Sequence, residues 1–417
     1  MLGKFAVGHR QIAASVIILS ITGMVAATYS IIAVPLAKEF HPTRMVLMLA
    51  MTVLSGASAL LAPLLGSLMD RVSVRSMMTA GAAFLGAGFI ALSFAQTFNQ
   101  VLLAYGLLIA PANVLLGPLA TTVLLSRWFV KHRGRAIGIA ISGVAIGALV
   151  FSPVIQALLN VFEWRTAIRL LALILVACLA PAVAMVVDHP ARRGLHADGA
   201  DTDPQPVALS TDAPPLSVLA ILSDPSFWLV ALVAAVVTSG MKGMVTSLVP
   251  IALDEGVAPM KAAGLISVYA GCGLVSKLGF AMISDRFNPR HLMLASLAGF
   301  ALGAAALVKA ELGYPMIVLG VGMIGLFGGL MVPMQQYLMP RVFGPRIVGR
   351  AGGLLSSVVL LALLSTPPLF GQIFDSTGNY DLVFMLLAAL GAASLLAVPA
   401  IRLHPREIAA PRTVPAE

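Results

Sequence analysis

The stretch Gly66-Ser-Leu-Met-Asp70-Arg71-Val-Ser-Val-Arg75 has a second copy later in the chain, Ser284-Asp285-Arg286-Phe-Asn-Pro-Arg290. Asp285 follows Asp70 by 215 residues, and the same spacing separates Gly134-Arg-Ala-Ile-Gly138 from Gly349-Arg-Ala-Gly-Gly353. Landmarks in several segments that share one register indicate an internal duplication. We therefore predict two halves with the same fold.

Long apolar segments surround both copies. Of the 417 residues, 59% are hydrophobic and only 10% are charged, whereas a soluble domain usually carries about 25% charged residues. About 20 apolar residues are needed to cross a bilayer. Twelve segments qualify, six in each half, at about 11–36, 46–69, 76–96, 99–125, 135–159, 165–187, 226–252, 262–284, 291–310, 314–338, 349–373 and 380–402.

These segments predict an all-α membrane protein with twelve transmembrane helices in two pseudo-symmetric six-helix bundles. The first bundle spans residues 1–187 and the second spans 225–417, which ends in a short cytoplasmic tail. Residues 188–224 contain the acidic, proline-rich stretch Ala197-Asp-Gly-Ala-Asp-Thr-Asp-Pro-Gln-Pro. Such a composition predicts a flexible cytoplasmic linker between the bundles.

The distribution of the 26 lysines and arginines orients the chain. Eighteen lie on the side that carries both termini, six lie on the other side, and two lie inside predicted spans. Since positive loops remain in the cytoplasm, both termini are expected there, in a multi-pass protein of the inner (plasma) membrane. The net charge of +9 therefore reflects membrane orientation, and no nucleic-acid partner is expected.

Two lysines lie deep in predicted spans. Lys242 lies in Thr238-Ser-Gly-Met-Lys-Gly-Met and Lys277 in Gly273-Leu-Val-Ser-Lys-Leu-Gly, while no Asp or Glu lies near the middle of any span. An ammonium group at that depth costs about 3 kcal/mol on insertion scales, so it normally faces a partner or a wet cavity. The missing counter-charge is interpreted as an anionic cargo, and snorkelling of each lysine toward the headgroups is the alternative.

The duplicated loop around Asp70 and Asp285 resembles the signature loop of the major facilitator superfamily, although Ser73 and Asn288 stand where the family has glycine. That resemblance implies the major facilitator fold. In the loop, six charged residues are expected to hold the halves together at the cytoplasmic face as a conformational gate: Asp70, Arg71, Arg75, Asp285, Arg286 and Arg290.

A narrower resemblance, to the monocarboxylate-porter and oxalate/formate-antiporter branch, is carried by residues 127–147, 163–165 and 371–380. In that branch a cationic residue, usually Arg, binds substrate eight residues before the second loop Asp, which is the position of Lys277. The resemblance also implies that polar residues of helices 1, 4, 7, 8 and 10 line a central cavity. The candidates are Tyr29, Asn113, Tyr269, Gln335, Gln336 and Tyr337.

The sequence therefore predicts transport of a small organic anion, a monocarboxylate, by alternating access, with Lys277 binding the anion and Lys242 assisting. Proton symport and anion exchange both remain open, because no mid-membrane carboxylate is available as a proton carrier. An exporter of drugs or apolar metabolites and a transporter-like ligand sensor are the rival functions. The sequence has no metal-ligand spacing and no nucleotide loop, so neither an enzymatic activity nor a cofactor is expected. The expected partners are the organic anion, protons and the lipid bilayer, and the protein is expected to be a monomer.

Overall fold

The computed structural model describes residues 2–42, 44–199, 217–344 and 347–403, and these residues form helices and no strands. Twelve helices are long and apolar enough to span a membrane, which confirms the predicted all-α fold. They are α1 (Leu2–Phe40), α2 (Arg44–Arg71), α3 (Val74–Ser93), α4 (Phe98–Trp128), α5 (Arg133–Val161), α6 (Trp164–Ala184), α7 (Pro225–Asp254), α8 (Pro259–Ile283), α9 (Pro289–Leu307), α10 (Tyr314–Val342), α11 (Val348–Thr377) and α12 (Asp381–Leu395).

Short polar residues and prolines set the ends of these helices. The side chains of Ser73, Thr97 and Asn288 accept backbone N–H groups at the starts of α3, α4 and α9. Such caps satisfy donors that have no partner inside the helix. At the other end of α11, Gly378 adopts a left-handed conformation with a φ of 77°, which ends the helix.

The six-helix halves repeat the same packing. In the first half α1 packs on α5 and α3 on α6; in the second, α7 packs on α11 and α9 on α12. Two equivalent contacts join the halves, α2 with α11 and α5 with α8. Glycine permits the closest approach, since a Cβ on Gly147 would lie 1.8 Å from the Ser20 carbonyl oxygen.

We call the end of the bundle at which α1 begins the base, and the opposite end the rim. Part of the predicted linker is ordered on the base: the Asp198 carboxylate accepts the backbone N–H groups of Val130, Lys131 and His132 in the α4–α5 loop. A short helix, Val218–Leu222, precedes α7. Residues 200–216 of the linker and the tail after residue 403 lie outside the described residues.

Two helices predicted as regular spans contain interruptions. In α4, residues Tyr105–Ile109 form a π-helical turn, and the helix breaks at Gly117 before Pro118. In α10, residues Ile324–Gly328 form a second π-helical turn near the middle of the helix. Apolar periodicity does not report which carbonyl each N–H bonds, so the sequence prediction missed both. Such turns are frequent at functional sites.

Candidate functional site

The π-helical turn of α10 organises the middle of the second half. Gly328, at its end, packs against Met241 of α7, and a Cβ there would lie 2.8 Å from the Met241 Sδ. The next residue, Gly329, packs against Ser276 of α8, where a Cβ would lie 3.0 Å from the side chain. Lys242 directly follows Met241 in α7, and Lys277 directly follows Ser276 in α8. Both lysines therefore lie beside the same level of α10.

The neighbours of Lys242 fix its direction. Gly240 packs on α9 and α12, Met241 on α10, and Gly243 on α11. With about 100° between successive helical residues, Lys242 projects between α10 and α11 and away from α9 and α12. Because α11 packs on α2, this direction leads to the space between the halves. Lys242 itself is exposed and lies near the middle of α7.

Lys277 faces the same space from α8. Ala281, one helical turn further along, packs against Gly138 of α5 in the other half, where a Cβ would lie 2.8 Å from the Ala281 Cα. Lys277 is half-buried, and neither it nor Lys242 forms a hydrogen bond or ion pair with a residue that the structure describes. At this level the two ammonium groups have no counter-charge among the residues that the structure describes, and the anion site stays a prediction.

The first half contributes amide and hydroxyl groups at the equivalent depth. Asn113, which is the counterpart of Gly328 at the 215-residue spacing, is half-buried near the middle of α4. Its Nδ2 donates to the Ser58 Oγ of α2 at 3.4 Å. Nearby, the Ser357 hydroxyl of α11 donates to the Ala59 carbonyl across the interface between the halves. Asn113 therefore joins α4 to α2 within the first half, and its contact with a ligand stays a prediction.

The remaining predicted cavity residues divide into two groups. Tyr269 and Gln335 are half-buried, and their side chains form no hydrogen bond with described residues. Tyr29 instead lies inside the first half, where its hydroxyl donates to the Leu47 carbonyl and its ring meets Tyr105 edge-on. This hydrogen bond satisfies its hydroxyl, so Tyr29 has a packing role in this conformation.

Gln336 and Tyr337 lie lower, toward the base. The Tyr337 hydroxyl donates to the Ser284 carbonyl at 2.9 Å, and its ring packs on Phe280. Gln336 is buried. Both residues belong to the closed part of the interface in this conformation, because they lie eight and nine residues, more than two turns, below Gly328 at the end of the π-helical turn of α10.

Two carboxylates close the base in an equivalent way. Asp285, after α8, accepts the backbone N–H groups of Gly134 and Arg135 at 2.8 and 2.9 Å, which caps α5 of the other half. Asp70, at the end of α2, caps α11 by accepting those of Gly349 and Arg350, both at 2.8 Å. We call these two carboxylates and the four N–H groups the base latch.

The arginines of the predicted gate contribute less to this closure. The Arg71 and Arg75 side chains are exposed, and the hydrogen bond of Arg75 is made by its backbone N–H to Asp188. The Arg290 Nη2 donates to the Ile401 carbonyl within the second half. Asp70 and Asp285 therefore supply the side-chain acceptors of the base latch, while the donors are backbone amides that no residue type reveals.

Comparisons with known proteins support this architecture. The family model described as Major Facilitator Superfamily matches residues 15–280 and 232–417. Monocarboxylate transporter 11 of Mus musculus is 28% identical over 368 residues, covering 84% of this chain and 77% of that protein. Monocarboxylate transporter 4 of Rattus norvegicus is 27% identical over 330 residues, covering 78% and 68%. The fucose:proton symporter of E. coli has the same fold, with a TM-score of 0.69 at 15% identity over 94% of this chain and 99% of that one.

Proposed function

Because the chain belongs to the Major Facilitator Superfamily, we propose that it is a secondary active transporter that carries a small monocarboxylate by alternating access. The observation that carries the proposal is the pair Lys242 and Lys277, which face the space between the halves from one level and have no counter-charge among the described residues. The monocarboxylate relatives favour the same cargo.

The lysines divide the work of binding. Lys277 is half-buried and lies about 12 Å above the base latch along α8, so a carboxylate that reaches it loses much of its hydration. A charged hydrogen bond there contributes about 1.5–3 kcal/mol. Lys242 is more exposed and attracts the anion, and Asn113 on the opposite side donates to its oxygens or to a hydroxyl substituent.

The base latch gives the proposed transport cycle its first state. With Asp70 and Asp285 in place the base is closed. In the proposed cycle the anion would reach the lysines from the rim in this state. Release of both carboxylates from the opposite half would open the base, and closure at the rim would complete the exchange of states. Because most of the positive charge lies at the base, we propose that the base and both termini face the cytoplasm and that the protein lies in the inner (plasma) membrane. We also propose that the transporter acts as a monomer.

Uptake of labelled C2 to C5 monocarboxylates into proteoliposomes tests the proposal. Lys277→Gln is expected to raise KM at least tenfold, whereas Lys277→Arg retains the charge and most of the uptake. Lys261→Gln is the matched control, because Lys261 lies at the rim end of α8 with its Nζ over the Tyr314 ring. Unchanged uptake in Lys277→Gln, or equal losses in both Gln variants, would reject the anion site.

The same vesicles decide the coupling. Acceleration of uptake by an inwardly directed proton gradient identifies proton symport, and acceleration by unlabelled carboxylate loaded inside identifies anion exchange. Export of apolar compounds that is insensitive to both lysine substitutions would instead identify the exporter function.

A further inference from the structure

Buried polar oxygens without a hydrogen-bond partner are confined to one side of the candidate site. Among the described residues, hydroxyl or amide oxygens of this kind belong to Ser15, Thr122, Ser126, Ser276, Ser284 and Gln336. Each lies in the base half of its helix or just beyond its base end. Two buried hydroxyls outside this set are bonded: Thr28 donates to the Met24 carbonyl, and Ser296 donates to the Phe327 carbonyl of the α10 π-helical turn.

This distribution is unusual for a permanent core. The large majority of buried side-chain polar atoms in folded proteins have a partner, because lost hydration without a replacement is unfavourable. A set of unpartnered oxygens in one region therefore indicates that the region becomes hydrated in another conformation.

Five of these oxygens extend from the lysines to the base latch. Ser276 adjoins Lys277. Ser284 lies eight residues after Ser276, about 12 Å nearer the base. On α10, Gln336 lies seven residues, about 10 Å, below Gly329. On α4, Thr122 and Ser126 lie below Asn113, again between the site and the base.

The helices that carry them meet at the closed interface. The base half of α4 packs on that of α10, and α8 packs on α5. The Ser284 hydroxyl faces the other half directly, since a Cβ on Gly134 would lie 2.3 Å from its Oγ. Separation of the halves at the base latch would therefore uncover this position first.

We propose that Thr122, Ser126, Ser276, Ser284 and Gln336 line a polar passage between the lysines and the cytoplasm, along which a carboxylate leaves in contact with water and hydroxyl donors. The inference rests on the alternating access proposed above. In the closed base the passage is collapsed, and its oxygens favour opening because opening restores their hydration.

Single cysteines test the passage in a background in which Cys178 and Cys272 are replaced by serine. Ser276→Cys, Ser284→Cys and Thr122→Cys are expected to react with a membrane-impermeant maleimide applied from the base side, and at least tenfold faster when Asp285→Asn is added. Ser296→Cys is the matched control, because its hydroxyl is buried and bonded within the second half. Absence of labelling at the passage positions, or rates no faster than that of Ser296→Cys, would overturn the proposal.

A second measurement does not depend on labelling. Ser284→Ala removes a buried hydroxyl that has no partner, so the melting temperature is expected to stay or rise, while Ser296→Ala leaves the Phe327 carbonyl without its donor and should lower it. Equal decreases in both variants would contradict the proposal. Neither assay uses cargo. Labelling without carboxylate uptake would reject the proposed function and retain the passage. Carboxylate uptake without labelling would reject the passage and retain the proposed function.

Discussion

Asp285→Asn is expected to open the base without unfolding the protein. The carboxylate accepts two N–H groups of α5, at 2.8 and 2.9 Å. An asparagine retains one acceptor oxygen but turns an amide N–H₂ group toward the second donor, and it removes the negative charge from the start of α5. A lost hydrogen bond to a charged group, together with the helix-dipole interaction, amounts to about 2 kcal/mol.

That free energy corresponds to about a 30-fold shift in the equilibrium between closed and open base, since 1.4 kcal/mol is tenfold. A base that is open in about 1% of molecules would then be open in about a quarter. Asp70→Asn is expected to act equally, because its carboxylate makes the equivalent contacts with α11, and the two effects should add where they share no partner.

Distance measurements between spin labels at Ser76 and His291 report this equilibrium, because both residues are exposed at the base, one in each half. Asp188→Asn is the matched control: the Asp188 carboxylate accepts the Ser73 hydroxyl and the Arg75 N–H, all within the first half. The control should lower the melting temperature and leave the distances unchanged. Unchanged distances in Asp285→Asn, or the same change in the control, would refute the latch.

Two further perturbations test the packing at the base. Gly349→Ala is expected to cost about 1–3 kcal/mol of stability and to separate α2 from α11, because the new Cβ would lie 2.2 Å from the Gly66 carbonyl oxygen. Gly371→Ala is the control: its Cβ would have no atom within 4 Å, so the melting temperature should stay or rise. Equal decreases in the melting temperature of both variants would contradict this packing. Asp198→Ala releases the linker from the α4–α5 loop, so limited proteolysis after residue 188 should accelerate while uptake is retained; unchanged cleavage would show that Asp198 does not hold the linker.

Much of the base latch could be predicted from the duplicated sequence. The 215-residue spacing identified Asp70 with Asp285 and Gly134-Arg135 with Gly349-Arg350, which are the four segments that meet in the structure. The arginines could not be assigned in the same way, because the carboxylates accept backbone N–H groups at helix starts. Any residue except proline supplies such a donor, so composition gives no signal for it.

The predicted cavity residues show where residue type alone does not predict a role. Polar residue type selected Tyr29 and Tyr337, yet both hydroxyls donate to carbonyls between helices. Tyrosine satisfies its hydroxyl wherever a carbonyl is in reach, so its presence in a span does not distinguish packing from ligand contact. The lysines gave a stronger signal, because an ammonium group in an apolar span is costly without a function.

By itself the sequence determined the number of membrane spans, the duplication and the two mid-membrane lysines, since hydropathy, register and charge are local properties of the chain. Only the tertiary structure decided that two adjacent glycines, at and just after the end of one π-helical turn, bring both lysines to the same level, and that unpartnered oxygens lie below them. Those relations depend on helix rotation and hydrogen-bond register, which are fixed by packing between helices far apart in sequence.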